Sequence, residues 1–225
     1  MTFVLPPAAV PSVAVAGGGR FAVRRIFCVG RNYAEHAREM GHDPNAEPPF
    51  FFTKPADAVI DSGAEVPYPV ATADLHHEAE LVVALGGSGA FVTEDQAMAL
   101  VWGYGAGNDL TRRDLQAEAK AARRPWDMAK GFDNSAVVGA LRPARQGVPQ
   151  GRIRCLVDGR VTQDADLAEM IWPVAGIIAH LSRLVTLRAG DLIFTGTPAG
   201  VGPIVRGQTC EVQINGLEPA TVRLI

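Results

Sequence analysis

The dipeptides Asp158-Gly159 and Asn215-Gly216 constrain this chain more than any other feature. Each reads as a hairpin turn, because glycine and its Asn or Asp neighbour tolerate the backbone angles such turns need, and each is flanked by β-forming runs, CLVDGRVTQ and VQINGLEPATVRL. Hairpins join antiparallel neighbours, whereas parallel strands need long crossovers. Further runs, RRIFCVG, PPFFFTKP, LHHEAELVVALG and the glycine-interrupted WGYGAGNDLT, read as strands bounded by proline or glycine. FVLPPAAVPSVAVAGGGRFAV reads as two short strands around turns.

The helical signals are fewer. NYAEHAREMG predicts a short helix stopped by Gly41, and Thr93 an N-cap with Glu94 and Asp95 in the first turn. RRDLQAEAKAARR predicts a charged surface helix ending before Pro125, and a long helical pattern runs from about Ala165 to Leu187, with Pro173 near its start or at a kink. The expected fold class is therefore α+β, mainly β, mixed but mostly antiparallel, with a few packed helices. The run Gly17-Gly18-Gly19 closes an expected N-terminal arm over residues 1–22, leaving 23–225 as one unit without repeat, low-complexity tract or linker.

With 48% hydrophobic residues in 225, the chain can bury a sizeable core. A formal net charge of −3 gives no bulk attraction for nucleic acid or an anionic membrane, so neither is an expected partner. The N-terminal stretch is cut by Pro6, Pro7 and Pro11, and the apolar pattern near Met170 to Leu187 is interrupted by Pro173, His180 and Arg183; neither suits a signal peptide or a membrane span. Three widely spaced cysteines, Cys28, Cys155 and Cys210, with no CxxC, fit a reducing, cytoplasmic setting and exclude zinc-finger spacing. Cys28 sits in an apolar strand and reads as core. TGTPAGVG lacks the P-loop lysine, GYGAG is no GxGxxG, and no GxSxG nucleophile elbow occurs.

The chemistry lies in carboxylates. On a strand Glu78 and Glu80 project from one face, while His76 and His77 point to opposite sides and cannot together grip one ion without backbone distortion. The glycines Gly103, Gly105 and Gly107 lead to Asp109 and permit close backbone approach. Three carboxylates without thiolates would make a hard, oxygen-only site for Mg²⁺ or Mn²⁺, with Ca²⁺ as a non-native occupant. By spacing alone, the same glutamates read as lining a solvated sheet face, so spacing does not establish the metal site. His36 and Glu39, three apart, would share a helix face, either as an exposed polar pair or as an imidazole oriented by a carboxylate. Lys54 and Lys130 are flanked by apolar or aromatic residues that would hold each ammonium partly desolvated, unless they snorkel to the surface.

In order, CVGRNYAEHAREMG, FFFTKPADAV, HHEAELVVALG, NDLTRRDLQ, RPWDMAKGFDNS and DLIFTGTPAGVGP resemble the fumarylacetoacetate hydrolase superfamily, from about Arg24 to the C-terminus. Within it, the fumarylpyruvate and acylpyruvate hydrolases are the most similar group. The resemblance implies a mixed β-sandwich roll, usually a homodimer, acting on a small oxo acid without an organic cofactor. It implies that Glu78, Glu80 and Asp109 hold the metal and that His36 and Glu39 activate water. It also implies that Lys130 neutralises substrate oxyanions and that Gln116 and Thr197 hydrogen-bond the oxo-acid end. Lys54 is expected beside the substrate. Arg112, Arg113, Arg123 and Arg124 flank the charged helix; Arg112 is the candidate for a distal substrate carboxylate, although the sequence does not single out one arginine. The reaction so implied is hydrolysis of a carbon–carbon bond in a 2,4-dioxo acid, fumarylpyruvate first, as in gentisate-type aromatic breakdown. Acylpyruvate hydrolysis, oxaloacetate decarboxylation and dienoic acid isomerisation are the alternatives.

Overall fold

The computed structural model describes residues 3–39 and 48–225. The chain opens with β1 (Ser12–Ala14), β2 (Arg20–Ala22), β3 (Arg25–Gly30), α1 (Ala34–Glu39) and β4 (Phe50–Lys54). Then come β5 (Val59–Asp61), β6 (Ala64–Val66), β7 (Leu75–His77), β8 (Ala79–Leu85), α2 (Glu94–Ala97), β9 (Val101–Asp109), β10 (Thr111–Arg112), α3 (Arg113–Ala121) and α4 (Asp127–Lys130). The C-terminal part holds β11 (Ala136–Val138), β12 (Arg142–Pro143), β13 (Arg152–Val157), β14 (Arg160–Asp166), α5 (Val174–Leu184), β15 (Asp191–Phe194), β16 (Gly202–Pro203), β17 (Thr209–Ile214) and β18 (Ala220–Leu224).

Two large sheets carry the fold. One is ordered β4-β3-β15-β8-β9-β11-β5, with β12 also on β9; the other is ordered β14-β13-β17-β18-β6. Antiparallel pairs dominate, and the parallel ones are β3 with β15, β5 with β11, and β6 with β18. Strand β8 lies inside the first sheet and is buried along its whole length. Leu81, Val83 and Leu85 join Ile153, Val212 and Val222 of the second sheet in one core cluster. Val82 and Ala84 point the other way, onto Ile26, Cys28, Phe194 and Val13 of the N-terminal hairpin. A strand covered on both faces is apolar wherever it meets the two cores, which is why LVVAL does not alternate and why the buried Glu80 at its head stands out.

The two hairpins that frame the sequence are present but differ. Asp158 and Gly159 both take positive φ, 49° and 78°, and close a tight turn between β13 and β14. At Asn215-Gly216 only the glycine does (φ 74°), and the chain crosses residues 215–219 before pairing resumes at Ala220. Pro219, which has no N–H to donate, stands in that connection.

Three expectations are corrected. The long helical pattern does not begin at Ala165: β14 continues to Asp166, a 3₁₀ turn spans Leu167–Glu169, and the helix runs only over Val174–Leu184 behind Pro173. Proline cannot donate inside a helix, but at the N-terminal boundary its missing donor costs nothing, so it starts α5 rather than kinking a longer one. The LHHEAELVVALG strand breaks at Glu78 into β7, which pairs with β10 and β16, and β8 of the large sheet. Finally α3 is not merely a surface helix, because Gln116 is buried on it. The Gly41 helix stop lies outside the described residues.

Candidate active site and metal centre

The break at Glu78 has a local cause. Its backbone N–H donates to the Asn108 side chain at 3.0 Å and its carbonyl accepts from the Asp109 N–H at 2.9 Å, so this residue is tied to the end of β9 as the chain passes between sheets. In the β8–β9 ladder Glu80 pairs with Gly107. A Cβ at position 107 would come within 2.4 Å of Val82 and 2.9 Å of Phe194, so only glycine allows this packing. Asp109 ends the same strand. One oxygen from each of Glu78, Glu80 and Asp109 lies within 4.8 Å of the others, and all three residues are buried.

Three cations, Lys130, Lys54 and Arg113, contact Glu78 and Asp109 of the triad. The Lys130 ammonium, on α4, donates to Glu78 Oε2 at 2.6 Å and Asp109 Oδ2 at 2.8 Å. Lys54 Nζ lies 2.7 Å from Asp109 Oδ1 and also donates to the carbonyls of Leu110 and Lys130. Arg113 takes the other Glu78 oxygen at 2.6 Å and reaches Gln116 Oε1 at 2.6 Å. Burial alone would raise the pKa of Glu78, but Lys130, Arg113 and His36 outweigh it and hold its carboxyl well below the usual range. Glu80 shows the opposite: burial, then Asp109 and Glu78, push it well above the ordinary carboxylate value. Its hydrogen bond from the Gly196 N–H, at 2.7 Å, does not compensate. A buried, oxygen-only donor set in which the neighbours of one carboxyl disfavour its ionisation fits a divalent hard cation, whose charge would relieve that conflict.

A cavity opens beside the triad, lined by Glu78, Glu80, Lys130, Arg113, Gln116 and Thr197 and also by His36. His36 Nδ1 lies 3.2 Å from Glu39 Oε2. Burial lowers the pKa of the imidazole, partly offset by Glu78 and Glu39, so the ring is neutral at pH 7. With Nδ1–H donating to Glu39, Nε2 keeps a lone pair for a proton. Glu39 also accepts from the Gly200 N–H at 3.3 Å, which ties α1 to the loop after β15.

The fold thus assembles residues from seven different segments, and most sequence candidates meet there. Lys54 stands behind Asp109 rather than in the cavity wall, fully enclosed instead of snorkelling. Arg112 does not line the cavity: its guanidinium packs 4.3 Å from the Phe132 ring centroid. Its neighbour Arg113 does. His76 and His77 contribute no ligand atom to the triad; His76 meets Asp74, and His77 meets Gln163 at 3.0 Å. Cys28 is buried among apolar side chains, and burial pushes its thiol up, as befits core.

Sequence reading missed Gln163. This buried side chain of β14 donates to Thr197 Oγ1 and the Pro198 carbonyl, each at 2.8 Å, and accepts from the Ala79 N–H at 3.0 Å. It holds the threonine at the cavity wall. The signal was available: Gln163 shares a strand face with Ala165, and a lone amide on an inward face needs partners. The aromatic side of the cavity, Phe50, Phe52 and Trp126, was also missed.

Residues 25–225 match the description Fumarylacetoacetate (FAA) hydrolase C-terminal. The chain belongs to the fumarylacetoacetate hydrolase family. It is therefore an enzyme of a family of hydrolases acting on carbon–carbon bonds. The crystal structure of fumarylpyruvate hydrolase from Pseudomonas aeruginosa, in complex with Mn²⁺ and pyruvate, superimposes with a TM-score of 0.97 at 48% identity, covering 100% of this chain and 99% of that one. Fumarylpyruvate hydrolase of Ralstonia sp is 44% identical over 177 residues, 78% of this chain and 92% of the relative. Mitochondrial oxaloacetate decarboxylase of Dictyostelium discoideum is 39% identical over 198 residues, 87% of this chain and 90% of the relative. Among the described residues of this family member, no helix is long and apolar enough to cross a membrane.

Proposed function

We propose that the protein hydrolyses fumarylpyruvate to fumarate and pyruvate, as a metal-dependent homodimer of the cytoplasm serving gentisate-type aromatic breakdown, with residues 23–225 as its catalytic domain and 1–22 as an arm. The observation that carries the reading is one cavity flanked by a buried carboxylate triad and a neutral histidine backed by a carboxylate. The Pseudomonas and Ralstonia relatives support the substrate. Glu78, Glu80 and Asp109 would hold Mg²⁺ or Mn²⁺, which when bound supplies a Lewis acid to the carboxylate and keto oxygens of an oxo acid.

The chain's own groups do the rest. His36 takes a proton from water at Nε2, while Glu39 stabilises the imidazolium through Nδ1. The hydroxyl oxygen bonds to the C4 carbonyl carbon of the substrate, the bond from that carbon to C3 breaks, and its electron pair leaves as pyruvate enolate. His36 is then placed to return its proton. Lys130 stands where negative charge develops, and Thr197 and Gln116 hold the oxo-acid end. Arg113 holds Gln116 and Glu78 in place for this.

The Dictyostelium relative keeps oxaloacetate decarboxylation as the second reading, since it needs the same enolate but no attacking water. Loss of substrate ultraviolet absorbance separates the two. Fumarylpyruvate, acetylpyruvate and oxaloacetate are each followed with Mg²⁺, with Mn²⁺ and with chelator. A clear kcat/KM advantage for fumarylpyruvate that chelator abolishes is expected; preference for oxaloacetate would overturn the substrate, and chelator-resistant activity would overturn the metal.

A further inference from the structure

Helix α3 presents more to the cavity than its first turn. Arg113, Gln116 and Lys120 all line it, and their spacing of three and four residues puts them in one row on the helix. At 1.5 Å per residue Lys120 stands about 10 Å farther along the axis than Arg113, on the order of the span of an extended diacid. Helical side chains lean toward the N-terminus, so the Lys120 stem is directed back over Gln116 and Ala117, toward the cavity.

The surroundings of Lys120 are cationic and aromatic. Its Nζ lies 5.2 Å from the Trp126 ring centroid, and that ring meets Phe50 and Phe52 edge-on at 5.4 and 5.9 Å. Arg31, with its guanidinium 5.1 Å from the Phe50 ring centroid, lines the same cavity and takes a left-handed φ of 60° that is costly for a side chain of this size. No carboxylate among the described residues pairs with Lys120. Burial first, then Arg113 and Arg31, push its pKa down, as expected of an ammonium crowded by like charges. A half-buried lysine that lines the cavity beside an aromatic ring, with no carboxylate partner among the described residues, calls for an anionic group on the ligand.

We infer that Lys120 is the specificity-determining residue for the distal carboxylate of a dicarboxylic acyl group, which it meets over the aromatic floor of Trp126. The inference rests on the oxo-acid hydrolase reading and adds which end of the substrate is recognised, and by what.

The test compares wild type, Lys120→Met and Lys120→Arg on fumarylpyruvate and on acetylpyruvate, which lacks the distal carboxylate. Losing a charged hydrogen bond should raise KM for fumarylpyruvate about ten- to a hundredfold in Lys120→Met with little change in kcat, and Lys120→Arg should restore most of it. Acetylpyruvate kinetics should stay within about threefold. Calorimetric binding of fumarate and crotonate gives a readout independent of turnover: wild type should prefer fumarate, and Lys120→Met should bind both alike. Equal loss on both substrates with an unchanged fumarate preference would overturn the role of Lys120. Wild type that turns over neither dioxo acid would overturn the hydrolase reading instead, and the fumarate-to-crotonate ratio would still decide the inference.

Discussion

The two walls of the cavity are built differently. The acidic wall rests on adjacent strands β8 and β9, inside a sheet covered on both faces, where Glu80, Gly107, Val82 and Phe194 fit without spare room. The wall that carries His36 and Glu39 is α1, a helix of six residues. A helix this short has little stability of its own, and the Gly200 N–H bond to Glu39 ties its last residue to the loop after β15. On the proposed reading, charge that must sit close to like charge is thus placed inside a sheet covered on both faces, and the group proposed to move a proton on a six-residue helix. Changes in the first wall should abolish the site, whereas changes in the second should slow it.

The largest effect expected is from Glu80→Gln. It keeps the shape but removes a ligand charge, so Mn²⁺ binding by calorimetry should be lost or greatly weakened and kcat/KM should fall by about a thousandfold or more. Tight binding retained in this variant would break the contrast outright. Next, His36→Ala should keep Mn²⁺ binding yet lose roughly a hundred- to ten-thousandfold in hydrolysis. Oxaloacetate decarboxylation should suffer much less, and equal loss of both would show that the two walls do not have separate tasks.

The acid limb of the pH profile sharpens the same comparison. Burial lowers the His36 pKa below its usual 6.5, so hydrolytic kcat/KM should be flat around neutrality and fall only on the acid side of that value. Glu39 raises the His36 pKa. In Glu39→Gln the limb should therefore move to lower pH, with about a tenfold drop in the plateau; a shift upward would refute the pairing. The smallest expected effect is on stability: Gly107→Ala should lower it by about 1–3 kcal/mol through overpacking against Val82 and Phe194, read by denaturant unfolding.

Much of this was legible beforehand. Period-two patterning put Glu78 and Glu80 on one face and parted His76 from His77, and a spacing of three joined His36 to Glu39. What misled was always a residue whose fate depends on a distant partner. Arg112 and Arg113 are adjacent and chemically alike, yet one lies on Phe132 and the other in the cavity, because the step from β10 into α3 turns successive side chains apart. The helix expected from Ala165 failed because Ala165 pairs with Ile153 across β13, a long-range bond that local apolar spacing cannot reveal.

The sequence by itself determined which kinds of donor are on offer, hard carboxylates rather than paired thiolates, and it determined the hairpin turns, whose backbone angles only certain residues accept; that Glu78, Glu80 and Asp109 come together was decided by the fold. Tertiary structure alone decided which cations face the triad, that Gln163 of the second sheet steadies Thr197, and that Lys120 looks into the cavity. Those outcomes depend on which segments pack together, and packing is set by burial summed over the whole chain rather than by any local run of residues.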